Sequence, residues 1–191
     1  MSFLIQKYNI SATHQRSLRL KIVLLQKNRR MKENDKTKAV AAAAAEQARK
    51  DDEFMRKALD EARAAYDAGE IPVGAVIVCR GRIISRAHNL TETLNDVTAH
   101  AEMQAITSAA NALGGKYLSG CTLYVTVEPC PMCAGAIGWA QISRVVFGAP
   151  DEKRGYRRYA PDVLHPKAVV VGGVLEDECR SLMQEFFRAR R

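Results

Sequence analysis

The stretch Pro129-Cys130-Pro131-Met132-Cys133, read with the triplet His100-Ala101-Glu102 upstream of it, organises the rest of the chain. Two cysteines three apart with a proline between them put both sulfurs on the first turn of a helix, where unpaired N–H groups and the helix dipole favour thiolates. Pro131 sits where proline helps a helix to begin. His100 adds a third ligand, and three protein ligands with one position left for water is the pattern of a catalytic zinc rather than a structural one. Glu102 remains over. Residues two apart on a helix do not share a face, so it is expected as an acid/base group beside the metal's water and not as a ligand. A structural zinc would need a fourth donor, for which Cys121 and His88 are the candidates. Alone, His100 reads as a core histidine and C-x-x-C as a redox or structural motif; their joint occurrence favours the catalytic reading.

Working outward, Cys121 to Val127 is rich in β-branched and aromatic residues and reads as a buried strand that delivers the cysteine turn at its end. A helix over 131–141 and a strand over 143–148 complete a βαβ unit with parallel strands. Its ligand crevice belongs where strand ends meet helix starts. Upstream, Thr98 is expected to cap the helix that carries His100 and Glu102 and stops at Gly114-Gly115. Before it, Val73 to Cys79 and Ile83 to Ala87 form a hairpin around Arg80-Gly81-Arg82, followed by a polar loop from His88 to Val97. A first helix is expected to start at the acids Asp51, Asp52 and Glu53, with Phe54, Ala58, Ala62 and Ala65 on the face that covers the sheet, and to end near Gly69. Downstream lie a basic, tyrosine-containing loop or short helix over 151–164, a strand over 167–171 and a closing helix over 175–191.

Charge separates the chain into two parts. Residues 1–50 carry 12 Lys and Arg against 3 Asp and Glu, which leaves 17 against 18 for residues 51–191. The overall charge of +8 therefore belongs to the first segment, and RNA binding by the body requires a local basic patch. Residues 1–50 are expected to form a disordered basic extension outside a folded domain of 51–191, since the alanine run before Lys50 has no face to bury. Three readings of the extension stand side by side: a tail that helps to hold RNA, an organellar targeting segment, and an upstream stretch included by an early start, with Met31 as the next candidate. Five cysteines without a convincing signal peptide point to a reducing, cytoplasmic setting, in which Cys79, Cys121 and Cys179 are small core residues. No apolar run reaches the roughly 20 residues that span a bilayer, so no membrane partner is expected.

The order H-x-E, then P-C-x-x-C, is that of the zinc-dependent nucleobase deaminases. In that chemistry a metal-activated water adds to the ring carbon bearing an exocyclic amine, while the carboxylate moves the protons and ammonia departs. Beyond the motif, Ile71-Pro72-Val73-Gly74-Ala75-Val76 with Asn89, Asp96 to Glu102, Leu123 to Cys130, Arg144 to Ala149 and Phe186-Phe187-Arg188 together resemble the bacterial tRNA-specific adenosine deaminase family, in the cytidine deaminase-like superfamily. The resemblance runs from about Phe54 to Arg191. It implies an α/β fold, a three-layer α/β/α sandwich with a five-stranded mixed sheet, one Zn²⁺ per subunit, a homodimer, and conversion of adenosine to inosine at the wobble position of a tRNA anticodon stem-loop. It further implies that Asn89 hydrogen-bonds the flipped base, that Ile71 and Pro72 shape the pocket wall, and that Asp151 and Lys153 belong to the loop meeting the anticodon backbone. The family often has a basic residue where this chain has Pro150; Arg154, Arg157 and Arg158 are available to compensate, and Tyr156 and Tyr159 to stack on bases or to pack. Two rivals stay open: a deaminase of free guanine or cytosine, which needs a lid over a small pocket, and a non-catalytic RNA-binding protein with a structural zinc.

Overall fold

The computed structural model describes residues 12–190 and divides the chain between Ala48 and Arg49. Helix α1 spans Ala12–Asp67 and so begins long before Asp51. The reason is local: no glycine or proline interrupts residues 12–67, and alanine is the strongest helix former, so nothing stops the helix between Lys36 and Lys50. Every described side chain from Leu25 to Lys50 is nonetheless exposed, which is the missing burial face read from the sequence. Of the stretch expected to be disordered, residues 1–11 lie outside the described residues. Asp51 accordingly stands inside a helix and not at its first turn. It receives a bidentate pair from Arg144, at 2.7 and 2.6 Å, and the Tyr124 hydroxyl donates to it at 2.9 Å.

From Arg49 onward the elements are β1 (Gly74–Cys79), β2 (Arg82–His88), α2 (Ala101–Leu113), β3 (Cys121–Val127), α3 (Pro131–Trp139), β4 (Arg144–Ala149), α4 (Tyr156–Tyr159), β5 (Val169–Gly172) and α5 (Glu176–Arg188). Arg80 and Gly81, both left-handed at φ 50° and 75°, turn β1 into β2. The sheet order is β2-β1-β3-β4-β5, with β1 antiparallel to β2 and β3 and with β3, β4 and β5 parallel. This is the expected five-stranded mixed sheet. The period of two in its strands sorts two cores: Ala75, Ile77, Leu123, Val125, Val145 and Phe147 face α2 and α3, whereas Val76, Val78, Tyr124 and Val146 face Met55, Ala58 and Leu59 of α1 and Cys179 of α5. Both faces are covered, which is why the central strands read as apolar runs.

The register determines which residues meet at one end of the sheet. Gly74 pairs with His88, Ala75 with Val125 and Val127 with Ala149, so the start of β1 lies beside the ends of β2, β3 and β4. The segments 70–73, 89–100, 128–133 and 150–159 all leave from this end. Among the described residues no helix is long and apolar enough to cross a membrane.

Candidate metal centre and active site

Two helix N-termini converge on the site. His100 is the N-cap of α2, with extended backbone at φ −69° and ψ 155°. Thr98 does not cap the helix, because its backbone N–H and its hydroxyl both donate to Asp96 at 2.8 Å. With His100 outside the helix, the expected separation of His100 and Glu102 onto different helix faces does not apply; both groups reach the same cluster. Cys130 is the N-cap of α3, Pro131 starts the helix and Cys133 lies in its first turn, as the spacing predicts.

The donor atoms of His100, Cys130 and Cys133 lie within 4.8 Å of one another. His100 Nδ1 is 3.7 Å from Cys130 Sγ and 3.4 Å from Cys133 Sγ. Tetrahedral zinc with its usual Zn–S and Zn–N bonds separates a sulfur from a nitrogen donor by about 3.6 Å, which falls between those two distances. Thiolate and imidazole donors are also the set zinc prefers. Geometry and chemistry thus both fit the metal. The charges fit as well: the Cys133 thiol hydrogen-bonds Cys130 and, against the opposing effect of burial, brings its pKa down to about 4, with His100 helping. Cys133, which gives that hydrogen and is itself buried, is pushed up, and the Cys130 thiolate raises His100. Metal binding requires deprotonated cysteine sulfurs and a neutral imidazole, so it would release protons.

Glu102 is 3% exposed and within hydrogen-bond reach of the Cys133 sulfur. Burial pushes its carboxyl above the ordinary carboxylate range, and the Cys130 thiolate adds to the shift. A carboxyl group raised in this way is suited to accept and return a proton.

Asn89 follows the end of β2. Its N–H donates to Val73 O at 3.0 Å, and Leu90 N–H donates to Ala99 O at 3.0 Å, which ties the loop to the segment ending in His100. Exposed Ile71 and buried Pro72 lie just before Val73 at the same end of the sheet. The sequence reading missed Glu70. This carboxylate is 0% exposed and accepts from Asn89 Nδ2 at 3.0 Å, Thr91 Oγ1 at 3.3 Å, Glu92 N at 3.2 Å and Thr93 N at 2.7 Å. Burial alone would raise it, but the bonds from Thr93, Glu92 and Thr91 leave it below the usual range. A carboxylate can only accept, so it forces the nitrogen of the Asn89 amide toward itself.

Glu128 was likewise unmarked. Buried beside Pro129, it accepts from Asp151 N, Arg157 N, Arg157 Nε and Arg157 Nη2, the last at 2.7 Å. Burial raises its pKa, but the bonds from Arg157 and Asp151 outweigh burial and lower it. Arg157 also lies over the Phe147 ring at 4.8 Å, so it fastens the loop down. Gly155 makes this possible, since a Cβ there would come 2.5 Å from the Glu128 carboxyl. Asp151 shapes the same loop by accepting from Lys153 N and Arg154 N at 3.0 Å each. Tyr156 is buried and packs, whereas Tyr159 is 61% exposed. Lys153, Arg154 and Tyr159 line one cleft with Cys130, one of the three candidate ligands, and Pro131. His88, expected in a loop, ends β2 and pairs with Glu61 at 3.2 Å. Cys121 and Cys179 are buried free thiols and Cys79 is half-buried.

Residues 48–149 match the family model described as the cytidine and deoxycytidylate deaminase zinc-binding region. The chain is 49% identical over 146 residues to the tRNA-specific adenosine deaminase of Bacillus subtilis, covering 74% of this chain and 91% of that protein. A solved structure from studies of A-to-I editing by tRNA:A34 deaminases at the wobble position of transfer RNA is 45% identical, with a TM-score of 0.65 over 68% of this chain and 98% of that one. A structure of guanine deaminase from Nitrosomonas europaea superposes with a TM-score of 0.63 at 26% identity, over 69% of this chain and 81% of that one.

Proposed function

Because the chain belongs to the cytidine and deoxycytidylate deaminase family, and within it to the tRNA-specific adenosine deaminases, we propose that it hydrolyses adenosine to inosine at the first anticodon position of a tRNA. His100, Cys130 and Cys133 are positioned to hold the family's zinc, one ion per subunit. Bound there, zinc supplies Lewis acidity that makes a water molecule nucleophilic near neutral pH. Glu102 would take a proton from the attacking water and deliver it to N1 of the purine as oxygen adds to C6. The same carboxyl would then take the proton of the hydroxyl formed at C6 and pass it to the amine, which leaves as ammonia as the C6 carbonyl forms. Asn89 orients the base, with its amide held by Glu70, and Ile71 and Pro72 form the pocket wall. Asp151 shapes the rim loop from which Lys153 meets the anticodon backbone.

Likeness along nearly the whole of the Bacillus subtilis enzyme is the observation that carries the tRNA assignment. The fold shared with a guanine deaminase favours the rival, but the rim here is open and cationic, which suits RNA better than a lidded pocket. The zinc-loaded protein is incubated with total tRNA and, separately, with free guanine, cytosine and adenosine, while inosine and ammonia are followed. Inosine at an anticodon's first position is expected; ammonia from a free base alone overturns the assignment.

The folded catalytic domain comprises residues 51–191, residues 1–50 lie outside it, and the enzyme works in the cytoplasm. It acts as a homodimer, a reading supported by Trp139, an apolar ring 85% exposed at the end of α3. Sedimentation at micromolar concentration should return the mass of two chains and, for Trp139→Lys, a shift toward one.

A further inference from the structure

Three cysteines, Cys79, Cys121 and Cys179, stand apart from the metal cluster, and two of them face each other. Cys79 is the last residue of β1 and Cys121 the first of β3, and the antiparallel register pairs them directly. Both side chains join the core between the sheet and α2 and α3, so they project from one face of the sheet, while Cys179 packs against the other. Residues opposite one another in an antiparallel pair have Cα atoms about 4.5 or 5.5 Å apart, and a disulfide accepts about 4.4–6.8 Å. The two strands therefore already stand where a bridge requires them.

The two thiols differ in access. Cys79 is half-buried, whereas Cys121 is 0% exposed. Burial, and after it the hydrogen bond and charge of Cys79 alongside, pushes the Cys121 thiol up to about 11. Cys121 is thus held protonated, and a reagent arriving from solvent meets Cys79 first. Once the Cys79 sulfur is capped, its charge and hydrogen bond no longer hold the Cys121 proton, and only burial opposes its loss.

We infer that Cys79 and Cys121 are a redox modification site, which a low-molecular-weight disulfide closes into a covalent bridge between β1 and β3. The Cys79 thiolate attacks one sulfur of the reagent, whose S–S bond breaks; a mixed disulfide forms and one small thiol leaves. Cys121 then gives up its proton and attacks the Cys79 sulfur, and the second small thiol leaves with that proton. Two protein thiols are oxidised as one disulfide is reduced to two thiols. In a reducing compartment the pair stays open, and it closes when the level of small disulfides rises. Its place keeps it clear of the metal ligands, since Cys79 lies roughly 17 Å along β1 from Gly74. The closed bridge encloses residues 79–121, including α2 with Glu102 and its N-cap His100, and so restrains the segment that carries two site residues.

In the test, the zinc-loaded full chain is equilibrated with glutathione disulfide at neutral pH, trapped with N-ethylmaleimide and mapped as unreduced peptides, with zinc content measured alongside. A peptide linked through Cys79 and Cys121 is expected in most chains, with Cys179 unlinked and one zinc retained. No linked peptide, or a Cys130–Cys133 link with loss of zinc, overturns the inference, and neither result depends on a variant that folds. Two variants read the order of attack. Cys121→Ala should stop at a mixed disulfide on Cys79, and in Cys79→Ser the remaining Cys121 should react at least about tenfold more slowly than Cys79 does in Cys121→Ala. Equal rates overturn the entry through Cys79. Closure should also move the urea midpoint of the parent upward by about 1 M relative to the same protein kept in reduced glutathione, a shift absent from Cys121→Ala. A midpoint that stays or falls on closure overturns the restraint.

Discussion

At the scale of single residues, the three side chains positioned to hold a metal, His100, Cys130 and Cys133, differ from Glu102, for which we propose the proton transfers. Glu102 is buried and lies outside the group of His100, Cys130 and Cys133 whose donor atoms could hold a metal. Glu102→Ala should therefore keep one zinc per chain and lose turnover by about 10²- to 10⁴-fold, read by metal analysis and by ammonia release. Loss of the metal, or near-normal turnover, would contradict the role. Glu70 acts one step further out. Its Gln variant places a donor where four donors converge, so at least one is left without an acceptor, at a cost of about 1–3 kcal/mol. The measurable result is a lower melting temperature together with weaker substrate binding, because Asn89 loses the partner that orients it. A lower melting temperature with KM unchanged would make Glu70 purely structural.

At the scale of elements, two buried carboxylates join segments distant in sequence. Asp51 ties α1 to β3 and β4 through Tyr124 and Arg144. Removing one partner leaves the other buried and uncompensated, so Asp51→Ala should destabilise the fold by about 3–5 kcal/mol in denaturant titrations, far more than a surface ion pair would. Glu128 fastens the rim loop, and its lowered pKa sets a direction with pH. A carboxyl whose folded value lies below its ordinary 4.5 contributes fully above that pH and loses its contribution as pH falls through the folded value. Protection of the amides of residues 151–158, taken relative to their intrinsic exchange rates, should thus fall as acid is added below 4.5, and Glu128→Gln should show low protection already at neutral pH. Equal protection in parent and variant would refute the clamp.

At the scale of the whole molecule, α1 is a single helix whose two parts differ in what they touch. Side chains described before Lys50 are exposed, while Asp51, Met55, Ala58 and Leu59 are buried. A chain beginning at Arg49 should keep the melting temperature and turnover of the full protein, whereas one beginning at Glu53 should lose stability with the Asp51–Arg144 pair. Equal stability of the two truncations, by calorimetry, would refute this boundary. Chelation of zinc should lower the melting temperature of either form that folds, since the ion binds only the folded arrangement of ligands from α2 and α3.

Much of this was legible in the chain itself. Spacing encodes local geometry, so Cys130, Pro131 and Cys133 specified a helix start carrying two sulfurs, and the apolar runs of β1, β3 and β4 specified strands covered on both faces. What each polar side chain does was not legible, because it depends on partners brought together from far along the chain. Tyr156 and Tyr159 are both tyrosines of one short basic stretch, yet one is core and the other lines a cleft. Asp51 looked like a helix-start acid until Arg144 from β4 met it, and Arg157 looked like an RNA contact until Glu128 bound it. Sequence alone determined the metal site and the strand pattern, through short-range covalent spacing. Only the tertiary structure decided which charges are bound within the protein and which remain for a ligand, because burial and pairing arise when distant segments pack.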